Sequence, residues 1–185
     1  MDTIVDSTKR ASAAFSAIAA PDTDVHVVHL VRDPRAVAYS LNHRLKRQGA
    51  NGDGRVTRRR SAAQSSAKWL TTNALLDRYV RPAAGPARYR VVRYEDLTRH
   101  PRAVCEDIAG WAGLEPSTLA FTDEFVVELR PTHTVMGNPN RFVSGPVSIT
   151  PDTEWQELQA PRDRAIASAV AAPTMRTYGY RQRVR

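Results

Sequence analysis

Residues 26–44, HVVHLVRDPRAVAYSLNHR, join a short apolar run to a helical repeat, and this junction decides the fold. The valine-rich residues 25–31 predict a buried β-strand, because β-branched side chains pack well in a sheet covered on both faces. Asp33 is a favourable helix N-cap, and Pro34 suits the first position of a helix. The apolar side chains beyond the proline recur at helical spacing: Val37, Leu41 and Leu45. The sequence therefore predicts a strand that passes directly into a helix over residues 34–47.

Arg32 stands between the predicted strand and the predicted helix. The first turn of a helix exposes backbone N–H groups and a partial positive charge, so anions bind there. Ser40 lies about 9 Å along the helix axis from Pro34, and a phosphate beside the helix could accept hydrogen bonds from both Arg32 and Ser40. A solvated turn in which Arg32 pairs with Asp33 or another neighbour explains the same residues. This stretch alone leaves both interpretations open.

The rest of the chain alternates predicted helices with one further strand. The helices are predicted over residues 7–20, 61–80, 98–111 and 162–171, and the second strand over residues 89–94. Residues 48–60 predict a basic loop and residues 130–150 mostly loop, while Pro173 is predicted to close the last helix. The order of elements predicts an α/β fold with a parallel sheet flanked by helices. No repeat or linker divides the chain, so we expect a single domain over residues 1–185.

The composition favours an acidic partner. The chain has 185 residues and a formal net charge of +8 at pH 7, which suits a nucleotide, a sulfated or phosphorylated ligand, a nucleic acid or an anionic surface. Its single cysteine, Cys105, excludes an internal disulfide and a cysteine metal cluster, and it agrees with a reducing, cytoplasmic setting. No apolar stretch approaches the roughly 18 residues of a membrane span. We therefore expect a protein without a bound metal or a membrane span.

Four short segments resemble landmarks of the sulfotransferases that use 3′-phosphoadenosine 5′-phosphosulfate (PAPS), in their bacterial and carbohydrate-type branch. The segments are VDSTKR at residues 5–10, VRDPRAVAYS at 31–40, RYEDLTRHP at 93–101 and HTVMGNPNRF at 133–142. Asp152, Trp155 and a Tyr-Gly-Tyr segment at residues 178–180 follow, as an acidic residue, a tryptophan and this tripeptide do in that branch. The resemblance implies a P-loop-NTPase-like fold, a parallel sheet flanked by helices.

The resemblance also implies roles for individual residues. Arg32 and Ser40 have the spacing of the arginine and serine that hold the 3′-phosphate in that family, and Tyr94 would lie near the adenine. Asn138 and Arg141, in the Gly-Asn-Pro-x-Arg loop, are candidate phosphate contacts. The implied reaction transfers a sulfuryl group from PAPS to a hydroxyl or amine of a small-molecule or carbohydrate acceptor, and it requires no metal.

One landmark of the family has no counterpart in the sequence. The Gly-, Ser- and Thr-rich loop that holds the 5′-phosphosulfate should precede Arg32, but the first glycine of the chain is Gly49. The chain is then a truncated C-terminal portion of a longer enzyme, a partner of a second chain that supplies the loop, or a degenerate remnant. We favour the first explanation because the other motifs look undamaged. It predicts a fold that is incomplete at the N-terminus, one uncovered sheet face, and low stability or self-association.

The sequence does not identify the catalytic base. Sulfuryl transfer needs a base for the acceptor's proton and cations near the leaving phosphate. Counting back from Arg32 to where the family's cytosolic branch places its catalytic histidine leads to Lys9. Ser7 and Lys9, together with Asp6, are therefore candidates for acceptor binding or charge stabilisation. The alternative is that Asp6 or Ser7 caps a helix while Lys9 is solvated. His26 is predicted to be structural rather than a ligand.

Three functions compete at this point. The first is a PAPS-dependent sulfotransferase, catalytic if the missing segment is supplied, and the second is a non-catalytic PAPS-binding remnant or subunit. The third is a basic nucleic-acid-binding protein, suggested by the charge and by the arginines of residues 55–60. The sequence contains no helix-turn-helix, zinc finger or interleaved basic and aromatic strand, which argues against the third.

Overall fold

The structure is a computed structural model that describes residues 3–7, 10–50, 60–130 and 143–181, with the backbone alone for residues 43–50. Its helices are α1 (Ala11–Ile18), α2 (Pro34–Ala50), α3 (Ala62–Leu75), α4 (Arg81–Ala84), α5 (Tyr94–Arg99), α6 (Pro101–Trp111), α7 (Glu154–Leu158) and α8 (Pro161–Met175). Its strands are β1 (Val27–Val31), β2 (Tyr89–Arg93), β3 (Val126–Leu129) and β4 (Gly145–Ser148). A π-helical turn, Leu76–Val80, joins α3 to α4, and a 3₁₀ turn, Arg176–Tyr178, follows α8.

The chain divides into two compact units. The first comprises Met1–Val92 and Thr153–Arg185, and the second comprises Arg93–Asp152. The first unit contains the predicted strand-to-helix junction. The expectation of one domain over residues 1–185 stays a prediction.

The junction between β1 and α2 forms as predicted. α2 begins at Pro34, and the carbonyl oxygen of Asp33 accepts the first helical hydrogen bond from the Val37 N–H at 3.0 Å. The Asp33 carboxylate accepts from the Arg35 N–H at 2.9 Å. This is the N-cap geometry that satisfies a helix N–H otherwise left without an acceptor. The local sequence therefore fixes where the helix starts.

β1 and β2 are hydrogen-bonded neighbours in a parallel sheet flanked by helices. Along β1 the side chains alternate between faces, as strand geometry requires. His29 and Val31 are buried, whereas Val28 and Leu30 are 41% and 50% exposed. One face of the strand thus packs in the core, and the other carries two exposed apolar side chains. The predicted self-association stays a prediction.

The core of the first unit lies where α3, α8 and the carboxyl end of β1 meet. Its buried residues are Val31, Trp69, Ala171, Met175, Tyr178 and Tyr180. A second cluster of small side chains packs α2, α3 and α8 closely together: Ala38, Ala62 and Ala167. Burial of Ala171 and Met175 also keeps α8 helical through Pro173. The prediction that Pro173 ends this helix was wrong, because tertiary packing outweighs the one missing N–H.

Two helix starts differ in how well the sequence indicated them. α3 begins at a capping box, in which Ser61 and Gln64 exchange side-chain to backbone hydrogen bonds. α1 begins at Ala11 with Arg10 as N-cap, and the Arg10 side chain makes no capping hydrogen bond. The alternative interpretation of Asp6 or Ser7 as the N-cap was therefore wrong, because the helix starts several residues later.

The second unit contains two features that the sequence analysis did not predict. The helix predicted over residues 98–111 is two helices, α5 and α6, which His100 separates. His100 precedes a proline, and the proline ring disfavours the helical conformation there. β3 and β4 pair antiparallel, from Val126 opposite Ser148 to Leu129 opposite Gly145. The Gly-Pro content of residues 145–148 is unusual for a strand, which is why the sequence predicts loop there.

Within the described ranges, no helix combines the length and apolar character that crossing a membrane requires. The same residues contain no group of three or more His, Cys, Asp or Glu side chains arranged as metal ligands.

Candidate functional site

The candidate site is the turn between β1 and α2. Arg32 follows the last residue of the strand directly and lies half-buried beside the start of a helix of 17 residues. The indole N–H of Trp69, on α3, donates to the Arg32 carbonyl oxygen at 2.9 Å. The predicted placement of Arg32 at a strand end and a helix start is therefore correct.

Arg35 neutralises the carboxylate that caps α2. Its Nε donates to Asp33 Oδ1 at 2.9 Å, and its Nη2 forms a salt bridge with Asp33 Oδ2. Both side chains are about 90% buried or more, at 10% and 5% exposed. Because this pair cancels in charge, the three side chains Arg32, Asp33 and Arg35 together carry a net +1 at the positive end of the helix dipole. The turn is therefore electrostatically suited to an anion even though it contains an aspartate.

Trp155 of α7 and Gln159, the residue that follows this helix, contact Arg35. Its guanidinium lies 5.0 Å from the centre of the Trp155 ring, a cation–π distance. Gln159 Nε2 donates to the Arg35 carbonyl oxygen at 3.0 Å. The Arg164 guanidinium lies 6.0 Å from the centre of the Trp155 ring. Trp155, which follows the four family segments in the sequence, thus packs against the first turn of α2.

The other described site residues occupy separate elements. Ser40 is half-buried on α2, two helical turns beyond Arg32. Tyr94 is the first residue of α5, directly after β2, and belongs to the second unit. Ser7 is exposed in the segment before α1. Lys9, Asn138 and Arg141 lie outside the described residues, so their predicted roles stay predictions.

A buried polar network crosses the middle of β1. His29 Nε2 lies 2.7 Å from Asn73 Oδ1, and His29 Nδ1 lies 2.8 Å from the Tyr89 hydroxyl. Asn73 Nδ2 donates to the Trp69 carbonyl oxygen, so Oδ1 must be the atom that faces the histidine. An amide oxygen only accepts, and therefore Nε2 carries the ring proton while Nδ1 accepts from Tyr89. Both nitrogens of His29 are satisfied by the protein.

Burial shifts the pKa values of this network toward the neutral forms. Desolvation lowers the pKa of His29 below 6.5, although the Asn73 hydrogen bond and the nearby Asp77 oppose the shift. Burial raises the pKa of Tyr89 to about 12. It also raises the pKa of Tyr178, whose hydroxyl donates to Asp77 at 2.6 Å. The network is therefore uncharged at neutral pH apart from Asp77 and its salt-bridge partner Arg81, and its chemistry is that of a structural core.

Sequence reasoning missed most of these partners. It predicted that His26 is structural, which stays a prediction, and it did not predict the two buried partners of His29. Asn73 and Tyr89 are 44 and 60 residues away along the chain, so no local pattern could have indicated them. Arg35 was detectable, because a basic residue two positions after an aspartate N-cap can reach its carboxylate.

The family model described as the sulfotransferase family matches residues 4–118, which is more than half of the chain. The match contains Arg32, Ser40 and Tyr94. The chain belongs to the sulfotransferase family. The resemblance inferred from the motifs is thereby confirmed, and the strand-to-helix turn lies inside the matched part of the chain.

Two curated relatives are carbohydrate sulfotransferases. The chain is 30% identical over 103 residues to carbohydrate sulfotransferase 5 of Mus musculus, covering 51% of this chain and 26% of the relative. It is 25% identical over 170 residues to carbohydrate sulfotransferase 3 of Homo sapiens, covering 87% of this chain and 34% of the relative. The chain thus spans about a quarter to a third of the length of these relatives.

A solved structure has a similar fold. The sulfotransferase domain from the curacin biosynthetic pathway aligns with a TM-score of 0.54 and 18% identity, over 94% of this chain and 59% of that domain. This likeness confirms the predicted P-loop-like α/β fold.

Proposed function

We propose that this chain binds the 3′-phosphate of PAPS at the β1–α2 turn and takes part in sulfuryl transfer to a carbohydrate hydroxyl or amine. The observation that carries the proposal is Arg32, which follows a parallel strand directly and precedes a capped helix. Ligands of open α/β sheets bind at that edge. Membership of the family and the names of the relatives support both the donor and the acceptor class.

The charges of the turn support a phosphate ligand. Asp33 would repel an anion if it were unpaired, but Arg35 binds both of its oxygens. The positive charge of Arg32 and the dipole of α2 then act on the ligand together. Ser40 supplies a hydroxyl farther along the same helix. A guanidinium matches phosphate oxygens in pairs, which a lysine does not.

The chemistry that follows is an in-line displacement at sulfur. The acceptor oxygen or nitrogen forms the new bond to sulfur, the bond from sulfur to the phosphate oxygen breaks, and the acceptor's proton passes to a base. Adenosine 3′,5′-bisphosphate (PAP) is the leaving product. Tyr94 near the adenine, Asn138 and Arg141 at the phosphates, and Ser7 and Lys9 at the acceptor stay predictions. So do a cytoplasmic setting and the absence of a metal requirement.

Titration calorimetry with two nucleotides tests the binding step. PAP carries a 3′-phosphate and adenosine 5′-monophosphate does not, so a site for that phosphate should bind PAP at least about 10-fold more tightly. Equal affinities would contradict the proposal. The nucleic-acid alternative would instead be supported if the protein binds duplex DNA with an affinity that falls steeply with salt and that PAP does not change.

A transfer assay tests the second step. Radiolabelled PAPS is offered with carbohydrate acceptors, and label is expected on the sugar. Tight PAP binding without transfer to any acceptor, in the full-length natural protein as well, would favour a non-catalytic PAPS-binding subunit.

A further inference from the structure

Two buried side chains hold the carboxyl end of β1. The Tyr180 hydroxyl donates to the Val31 carbonyl oxygen at 3.2 Å, and the Trp69 indole N–H donates to the Arg32 carbonyl oxygen at 2.9 Å. Tyr180 is 4% exposed and Trp69 is 7% exposed. Consecutive carbonyls at the end of this strand are therefore bonded from the core by two different elements.

The Tyr-Gly-Tyr segment reaches this position because the chain reverses at Gly179. Its φ of 76° is in the left-handed region that favours glycine. The Gly179 and Tyr180 N–H groups bond back to Arg176 and Met175, so the chain turns sharply after the 3₁₀ turn. Both tyrosines are thereby buried, but they bond different groups: Tyr178 bonds the Asp77 carboxylate and Tyr180 bonds the strand end.

The two bonds act on the two peptide groups that flank the Arg32 Cα. Peptide groups are planar, and the Val31 and Arg32 carbonyls belong to these two groups. Holding both carbonyls restricts φ and ψ of Arg32, and with them the direction of its Cα–Cβ bond. A functional side chain needs this kind of support, since a small misplacement weakens a directional contact.

We propose that Trp69 and Tyr180 are positioning residues, which aim the Arg32 guanidinium at the 3′-phosphate. This inference rests on the proposed function, because it requires that Arg32 binds that phosphate. It gives the Tyr-Gly-Tyr segment a role in binding, even though its side chains are buried in the core.

Single hydroxyl removals test the proposal. Tyr180→Phe removes the bond to Val31. Tyr178→Phe removes the hydroxyl of the other buried tyrosine of the segment, which bonds Asp77 instead of the strand end. Tyr180→Phe is expected to weaken PAP binding about 3- to 10-fold, the effect of one lost hydrogen bond, and to leave adenosine 5′-monophosphate binding unchanged. Tyr178→Phe is expected to leave both affinities unchanged. Calorimetry measures the affinity for PAP, and nuclear magnetic resonance titration measures the weaker affinity for adenosine 5′-monophosphate.

Trp69→Phe, which keeps a ring but removes the N–H donor, is expected to act like Tyr180→Phe. In a double-mutant cycle, each loss should disappear in the Arg32→Ala background, because the side chain that is positioned is then absent. A purely structural role would produce the same loss with and without Arg32. If Trp69→Phe does not fold, Tyr180→Phe alone decides.

The outcomes separate this inference from the proposed function. If the natural protein binds PAP no better than adenosine 5′-monophosphate, the proposed function fails. If it prefers PAP and Arg32→Ala abolishes that preference, but Tyr180→Phe and Trp69→Phe leave it unchanged, only the positioning role is overturned. If Tyr180→Phe weakens the binding of PAP and of adenosine 5′-monophosphate equally, the positioning role is also overturned.

Discussion

The middle and the end of β1 both carry ionisable side chains, but the two positions differ in their surroundings. In the middle, His29 is 5% exposed and both ring nitrogens bond protein groups. At the end, Arg32 is half-buried at the start of α2, and its backbone is held by Trp69. A histidine is a common catalytic residue, but the position on the strand argues against that role for His29. The middle of a strand faces the core, whereas the carboxyl ends of strands in an open α/β sheet border the ligand-binding edge. Stability should therefore depend on His29, and nucleotide affinity on Arg32.

The largest effect is expected for His29→Ala. It should lower the free energy of unfolding by about 3 kcal/mol, because it leaves a cavity and removes the partner of Asn73 and Tyr89. Denaturant unfolding measures the change, and His100→Ala, which truncates an exposed histidine, is the control. The PAP affinity of the folded protein should not change. A loss of stability no larger than that of the control would remove the contrast between the two positions.

Arg32→Ala should have the opposite profile. We expect PAP affinity to fall by about 1.5–3 kcal/mol, roughly 10- to 150-fold, through loss of a charge-assisted hydrogen bond. The free energy of unfolding should change by less than about 0.5 kcal/mol. Arg78→Ala removes the same charge from an exposed position, so it separates the local contact from the net charge of the chain. Calorimetry measures the PAP affinity of both variants. Equal losses of affinity in the two variants would contradict a specific phosphate contact by Arg32.

The pH dependence of stability should report His29. Because burial lowers its pKa below 6.5, the unfolded chain binds a proton at a higher pH than the folded protein does. The free energy of unfolding therefore falls as the pH drops below 6.5, by at most about 1.4 kcal/mol per pH unit from this group. The loss ends once the pH passes the lowered pKa. His29→Gln should flatten that part of the curve, whereas His100→Gln should not; a curve that His29→Gln leaves unaltered would argue against the assignment.

Ser40→Ala should have the smallest effect. Loss of one neutral hydroxyl contact is expected to weaken PAP binding by about 0.5–1.5 kcal/mol, with little change in stability. Ser16→Ala, on the exposed side of α1, is the control for changing a helical serine to alanine. If Ser40→Ala binds PAP as tightly as Ser16→Ala, Ser40 does not contact the phosphate and the site is limited to the turn.

The sequence predicted the elements with strong local signals. The end of β1, the Asp33 cap and the start of α2 at Pro34 agree with the structure, because caps and proline act through neighbouring backbone groups. Predictions failed where distant packing decided the outcome. α8 continues past Pro173 because Ala171 and Met175 are buried, and the strand at residues 145–148 exists because β3 pairs with it.

The sequence by itself determined the strand-to-helix turn, the placement of Arg32 in it, and the family through its motifs. Only the tertiary structure decided what surrounds that turn: Tyr180 reaches Val31 across 149 residues, and Tyr89 reaches His29 across 60. The physical reason is the range of the interactions. Backbone conformation and capping depend on residues within one helical turn, whereas the partner of a buried donor depends on the path of the whole chain.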